Sequence, residues 1–326
     1  MGWYLTNRNL GARTTRIYEA AERVVSMLAA VSVVAGSAVV STKRIALVTG
    51  ANKGIGKEVA RLLGALPDHA VVLGCRDEKL GMAAAAELQA EGCDAAYCWV
   101  DLADPSSFES ARAFVEREYG RLDALVNNAA VCYNDPTLYG KVAHTPFEQQ
   151  AAITVQTNYH GALGLTRALL PLLRASSASP RLVNVASSAG RLRGSAEIQS
   201  QLTSPDLDVP QLSALMEAFV RDAEGGRHLE AGWPDTCYGV SKMGVIALTR
   251  VLAREEPTIL VNSADPGYCA TDQNADQGYI SAAQGAATPA MLAHAQLPQE
   301  AATSHHWYES RSVAIHARYQ YLAGQG

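Results

Sequence analysis

The stretch Ile45-Ala-Leu-Val-Thr-Gly-Ala-Asn-Lys-Gly-Ile-Gly56 decides the fold. Its first four residues are a short apolar run that ends in a turn, which reads as a buried strand. Gly50, Gly54 and Gly56 follow with the spacing G-x3-G-x-G. Beyond them Val59, Ala60, Leu62 and Leu63 fall at helical spacing. A strand that turns through glycines into a helix leaves the free N–H groups of the helix start pointing outward. Glycine also lets a pyrophosphate come close to them. The turn therefore reads as the phosphate site of a dinucleotide.

Outward from this unit the pattern keeps alternating. Val71–Leu73 reads as the second strand, and residues 78 to 90 as an Ala-rich helix with Gly92 behind it as a stop. Residues 95 to 100 read as the third strand. Asp104 supplies an N-cap and Pro105 a first helical residue for a helix running through Phe108, Val115 and Tyr119 to Gly120. Leu125-Val126 opens strand four, Leu182–Val185 is strand five and Ile259–Val261 strand six. Strands alternating with helices imply an α/β domain of the Rossmann type, a doubly wound parallel sheet covered on both faces. No internal repeat is visible. One segment breaks the rhythm, between Ala189 and Trp233. Within it Leu212, Leu215, Met216, Phe219 and Val220 form one stripe of an amphipathic helix. It reads as an insertion of about residues 190–235, lying beside the active site.

Bulk properties narrow the function. The 326 residues are 48% hydrophobic and 18% charged, enough for one large domain. A net charge of −5 argues against a nucleic-acid partner. Six cysteines without a CxxC suit a reducing, cytoplasmic setting and free thiols better than disulfides or zinc. His305-His306 has no third ligand nearby in sequence, so no metal is expected. Residues 1–43 form an N-terminal extension with two readings. The arginines 8, 13, 16 and 23 before an apolar run from Val24 to Val40 suit a targeting or anchoring segment; Glu19 and Glu22 suit a buried or frayed helix, or a misassigned start. The domain is expected over residues 44–313, followed by a tail at 314–326.

Two further clusters carry chemistry. An acidic residue about twenty positions past the glycine turn usually holds the ribose 2′-OH of such a cofactor. Here that position is Arg76, and Lys53 lies in the turn itself. Two cations favour a 2′-phosphate, hence NADP over NAD; against this stand Asp77 beside Arg76 and the alternative that Arg76 is a solvated strand end. The second cluster is Tyr238-Gly-Val-Ser-Lys242, which puts a phenol and an ammonium four residues apart on one helix face. A free tyrosine has a pKa of about 10 and needs a nearby cation to release its proton readily.

With these residues in view, the chain resembles a short-chain dehydrogenase/reductase, and within that superfamily the monomeric NADPH-dependent carbonyl reductases. The resemblance runs from about Lys43 to Val313. It rests on residues 49–56, Cys75-Arg76-Asp77, Asp101-Leu102, Asn127-Asn128-Ala129, Asn158, Asn184-Val-Ala-Ser187, Tyr238 to Lys242, Pro266-Gly267, and on Gly232-Trp-Pro with the insertion before it. It implies a small-molecule carbonyl substrate, NADPH/NADP+ as cofactor and a monomeric catalytic domain. Tyr238 would be the general acid. Lys242 would supply the cation and bind the nicotinamide ribose, Ser187 would polarise the carbonyl, and Asn158 would hold a water linking Lys242 to solvent. The cofactor would be held by Gly50, Asn52, Lys53, Gly54, Ile55, Gly56, Arg76, Asp101, Leu102, Asn127, Tyr238, Lys242, Pro266, Gly267 and Thr271. Three departures stand out. Ala130 replaces the usual last glycine of its run. Tyr268 stands where a Trp is common, and Ala189 is smaller than usual; both reshape the substrate pocket. The last strand, near His306-Trp307-Tyr308, lacks its usual preceding glycine. Alternatives are a catalytically weak NADP-binding regulator, a reductase for one specialised metabolite, and a nucleotide-sugar epimerase or dehydratase. Only about fifty residues follow Thr271, too few for the substrate domain of the last.

Overall fold

The computed structural model describes residues 42–133, 145–274, 276–294, 304–308 and 311–313. The N-terminal extension before residue 42 and the tail after 313 lie outside the described residues, as does the apolar run from Val24 to Val40. Strand β1 is Arg44–Thr49, followed by α1 (Gly54–Gly64), β2 (His69–Cys75), α2 (Glu78–Ala90), β3 (Ala95–Trp99), α3 (Ser106–Tyr119) and β4 (Ala124–Asn127). Helix α4 (Phe147–Val155) runs through one π-helical turn, Gln156–Gly161, into α5 (Ala162–Arg174), which leads to β5 (Arg181–Val185). Two helices, α6 (Ala196–Thr203) and α7 (Val209–Glu224), precede α8 (Cys237–Glu255) and β6 (Leu260–Asp265). A small pair, β7 (Cys269–Ala270) and β8 (Ile280–Ser281), leads to α9 (Ala282–His294), β9 (His306–Tyr308) and β10 (Arg311–Val313).

The main sheet has the order β3-β2-β1-β4-β5-β6-β9-β10. Every pair is parallel except β9 with β10. Ile45, Leu47, Leu125 and Leu182 face one core with α3, α5 and α8. Ala46, Val48, Val126 and Val183 face the other, with α1, α2 and α9. This is the doubly wound sheet expected from the alternation, because strands buried on both faces must be apolar on both faces. The strand order reverses between β1 and β4, and that reversal opens a crevice at their C-terminal ends, the usual ligand site of such sheets. Among the described residues no helix is long and apolar enough to cross a membrane.

The insertion differs from the sequence reading in having two helices. Helix α7 buries Val209, Leu212, Met216, Phe219 and Ala223, while Leu215 and Val220 are only partly covered. Its start is fixed by a capping box between Asp208 and Gln211. Phe219 meets Phe147 and Trp233 edge-on, with ring centres 6.5 and 5.4 Å apart. The Trp233 indole donates to Asp222 Oδ2 at 3.1 Å. These contacts lay α7 across α4 and α8.

Strand six runs four residues past the expected end at Val261. Polar Asn262, Ser263 and Asp265 hid it, since periodicity looks for apolar residues. All three are buried, and each has a hydrogen bond. Asn262 Oδ1 accepts from His305 N and Trp307 Nε1, and Ser263 Oγ pairs with His306 Nδ1 at 2.9 Å. His306 is thus part of a strand contact, and among the described residues no cluster of three or more His, Cys, Asp or Glu could hold a metal. Where the usual glycine before this strand is missing, Ser304 takes φ +66° instead.

Candidate active site

The glycine turn sits at the crevice. Gly50 and Gly54 have φ of +64° and +55°, a region that strains any residue with a side chain. At Gly56 the need is space, because a Cβ would run into Asn128 and the Gly50 carbonyl. Helix α1 starts at Gly54 with no side-chain cap from Lys53 and no acidic residue in its first turn. Its leading N–H groups are therefore suited to an anion. Ile55 is partly buried against the second core, and Asn52 lies at the turn surface. Thr49 Oγ1 accepts from Asn128 N and Ala129 N, each at 2.9 Å, and Asn128 Nδ2 returns a bond to Thr49 O. This ties the ends of β1 and β4 together, a role for Thr49 that sequence reading missed. Ala130 does not take positive φ, which is why alanine can stand there.

Arg76 is exposed at the end of β2, and it pairs with no carboxylate among the described residues. Asp77 beside it is occupied as the cap of α2, its Oδ1 accepting from Leu80 N at 2.8 Å. Lys53 Nζ reaches Asp272 Oδ2 at 3.0 Å. A Cβ at Gly54 would stand 3.4 Å from the Thr271 methyl, so the loop after β6 meets the glycine turn. Asn274, buried in that loop, donates to Cys269 O and accepts from Thr271 N, which fixes its shape. Gly267 has φ +81° in the Pro266-Gly267 turn. After β3, Asp101 Oδ1 accepts from Ala103 N at 2.9 Å. The Leu102 side chain belongs to the core, and its carbonyl packs against Gly161 of the π turn. Asn127 points inward: its Nδ2 donates to Thr166 Oγ1 and Asn184 Oδ1, both at 2.9 Å, and its Oδ1 is buried without a partner among the described residues.

Ser187 follows β5, Tyr238 and Lys242 lie on α8, and Asn158 reaches α8 from the π turn. Asn158 lies in the π turn, buried. Its Oδ1 accepts from Val131 N, and its two amide hydrogens go to Val131 O and Ser241 Oγ. Ser187 caps a short 3-10 turn, Ser188–Gly190, its Oγ accepting from Ala189 N at 3.1 Å. A Cβ at Gly190 would collide with the Lys242 main chain, so this turn packs directly on α8. The Thr236 hydroxyl caps α8 by accepting from Gly239 N at 3.0 Å. Tyr238 and Lys242 then share one face, with Nζ 5.6 Å from the centre of the Tyr238 ring. Lys242 is buried, and its Nζ donates to Val185 O at 2.7 Å. Burial lowers its pKa to about 8, against the opposing pull of Cys132 and Asp265. An ammonium held in low dielectric beside a phenol favours the phenolate, and so eases proton release from the phenol. Sequence reading missed Asp265, a buried carboxylate at the end of β6. The signal was an acidic residue directly before Pro266-Gly267.

Known proteins share this fold and much of this sequence. A family profile described as short chain dehydrogenase matches residues 44–199. Carbonyl reductase (NADPH) 3 of Rattus norvegicus is 40% identical over 277 residues, covering 81% of this chain and 95% of the relative. Carbonyl reductase (NADPH) 1 of Homo sapiens is 40% identical over 271 residues, covering 80% and 94%. Among solved structures, salutaridine reductase from Papaver somniferum superposes with a TM-score of 0.73 at 28% identity, over 81% of this chain and 99% of that one. Menthone neomenthol reductase from Mentha piperita gives 0.70 at 29% identity, over 82% and 99%. With the glycine turn, the Tyr238–Lys242 pair and the doubly wound sheet in place, the chain belongs to the short-chain dehydrogenase family and is an oxidoreductase.

Proposed function

We propose that the protein reduces carbonyl compounds, namely ketones, aldehydes or quinones, to alcohols with NADPH, and that Tyr238 is the general acid. The observation that carries this reading is the buried Lys242 ammonium 5.6 Å from the Tyr238 ring, held by the Val185 carbonyl at the end of β5. The relatives described as NADPH carbonyl reductases support the cofactor and the reaction class. The uncapped start of α1 fits a pyrophosphate, and the exposed Arg76 fits a 2′-phosphate.

When bound, the cofactor supplies the hydride. The chain supplies the rest. Gly50, Asn52, Gly54, Ile55 and Gly56 form the phosphate turn, and Lys53 and Arg76 select the phosphorylated ribose. Asp101 and the main chain of Leu102 border the adenine side, and Asn127 stiffens that wall through its bonds to Thr166 and Asn184. Pro266, Gly267 and Thr271 close over the nicotinamide end. Ser187 donates a hydrogen bond to the substrate oxygen, and the Tyr238 phenol delivers the proton to it. Lys242 stabilises the phenolate left behind and binds the nicotinamide ribose. Both amide hydrogens of Asn158 are engaged, so its proton-relay water is held by the second lone pair of Oδ1 or by main-chain carbonyls of the π turn. Tyr268 and Tyr279, edge to face with centres 5.3 Å apart, border the substrate end. The test is NADPH consumption by the purified protein with a panel of ketones, aldehydes and quinones. Turnover of several members is expected. NADPH binding without consumption across the whole panel would favour a regulator of the same fold.

A further inference from the structure

Lys53 lies in the glycine turn between β1 and α1, yet its ammonium is engaged across the crevice. Nζ donates to Asp272 Oδ2 at 3.0 Å, with 62% and 72% of the two side chains exposed. Asp272 opens a 3-10 turn, Asp272–Asn274, in the loop after β6. That turn is braced from within. Asn274 is buried; its Oδ1 accepts from Thr271 N at 3.1 Å and its Nδ2 donates to Cys269 O at 2.8 Å. The same loop meets the glycine turn at a second point, where a Cβ at Gly54 would stand 3.4 Å from the Thr271 methyl. The carboxylate is therefore held in place, and the lysine, on its flexible four-carbon stem, is the partner that can swing. The sheet order gives the pair a direction. Strand β2 lies on one side of β1, and β4, β5 and β6 lie on the other. Arg76 follows β2, whereas Asp272 follows β6. An ammonium that reaches Asp272 is thus committed to the loop after β6, and Arg76 stands on the opposite side of β1 from the strand that carries that loop.

We propose that Asp272 sets the strength of the cofactor preference by competing with the ribose 2′-phosphate for Lys53. The carboxylate holds the ammonium at the loop after β6, and the phosphate gains it only when that bridge opens. This rests on the reading of Lys53 and Arg76 as the cations that take the phosphorylated ribose. Arg76 pairs with no carboxylate among the described residues, so it meets the phosphate without a rival. Lys53 has one, 3.0 Å away. The two dinucleotides then act differently on the loop. NADPH draws Lys53 toward β2 and releases Asp272, while NADH, with a bare ribose hydroxyl, leaves the bridge between the loop and the glycine turn intact. Both side chains are mostly exposed, so the competition is modest in size and is paid in NADPH affinity alone.

The test is Asp272→Asn, which keeps the shape of the side chain and removes its charge. The apo protein is titrated with NADPH and with NADH at low ionic strength, where exposed charges are least screened, and binding is read by fluorescence. An exposed ion pair of this kind is worth a factor of up to about five. The ratio of the two dissociation constants, NADH over NADPH, should rise about threefold in the variant, through tighter NADPH binding. Removing a carboxylate also favours any more highly charged ligand at a distance, so the substitution is repeated in a Lys53→Met background. There the threefold rise should be lost, because the contested cation is gone. A ratio that stays level in the first background, or rises equally in both, overturns the proposal. Lys53→Met alone should lower the ratio. If it does not, the reading of Lys53 as a phosphate cation fails and this proposal fails with it; a lowered ratio there, with an unmoved ratio in Asp272→Asn, overturns this proposal alone.

Discussion

Lys242 is a buried cation whose ammonium donates to a main-chain carbonyl, Val185 O. A buried charge of this kind is often a functional one, and the centre of the Tyr238 ring lies 5.6 Å from it. Replacing Tyr238 by Phe keeps the ring and removes the proton. Turnover should fall by about 10²–10⁴-fold while NADPH binding, read by fluorescence titration, persists. Near-normal turnover would remove Tyr238 from its role. Arg76 tests the cofactor in the same direct way. Arg76→Asp should reverse the ratio of kcat/KM for NADPH over NADH, by replacing attraction for the 2′-phosphate with repulsion. A wild type that prefers NADH would remove Arg76 and Lys53 from cofactor selection. At this scale the sequence was informative where chemistry and spacing coincide, as in Gly50, Gly54, Gly56, Tyr238 and Lys242. It was silent where a side chain's direction decides its part. Asn127 turns inward to Thr166 and Asn184, Asp77 is taken up as a helix cap, and Asp265 lies at the end of a strand whose polar residues concealed it.

Among the elements, the insertion helix α7 was legible as an amphipathic stripe, but what it covers was not, because a stripe does not name its partner. The structure lays it on α4 and α8 through Phe219, Met216 and Leu212. A Cβ at Gly244, two residues from Lys242, would strike Met216 Sδ. The helix that carries the reactive pair is thus held by direct contact with the insertion. Phe219→Ala empties the space between Phe147 and Trp233. It should cost about 3–5 kcal/mol in a urea titration, with little change in the NADPH to NADH preference, since Arg76 lies at the far strand end. A loss below about 1 kcal/mol would mean that the insertion is only loosely attached. The π turn at Gln156–Gly161 was equally hidden. No periodicity signals one extra residue in a helical turn, yet the π-helical segment contains Asn158, whose amide fastens the loop after β4 to α8.

For the whole molecule, α7 lies over both α4 and α8 and buries its apolar stripe against them. The catalytic domain alone, about residues 41–313, is therefore expected to run as a monomer in light scattering at micromolar concentration. A stable dimer would make the insertion an interface. That the sheet is parallel and covered on both faces was readable from alternation alone. The pairing of β9 with β6 was not, since it depends on polar contacts of Asn262 and Ser263 that no hydropathy pattern encodes.

Those same two strands carry a pair of proton equilibria that run in opposite directions. His306, neutral and buried against Ser263, has its pKa lowered to about 4, so the protein loses stability as pH falls from 6.5 toward 4. Asp265, two positions along β6 from Ser263, has its pKa raised to about 6, so the protein gains stability as pH falls through nearly the same interval. Each effect is on the order of 3 kcal/mol, and side by side they cancel. Replacing Ser263 and His306 together by Ala and Phe removes one equilibrium together with the Ser263 hydroxyl that pairs with it. The double variant should then gain stability relative to the wild type as the solution is acidified from pH 6.5 to 4, while Asp265→Asn should lose it. Chemical denaturation at several pH values reads both differences. The wild type, holding both groups, buffers its own fold against mild acid where β9 joins β6, a pairing that sequence patterning did not show.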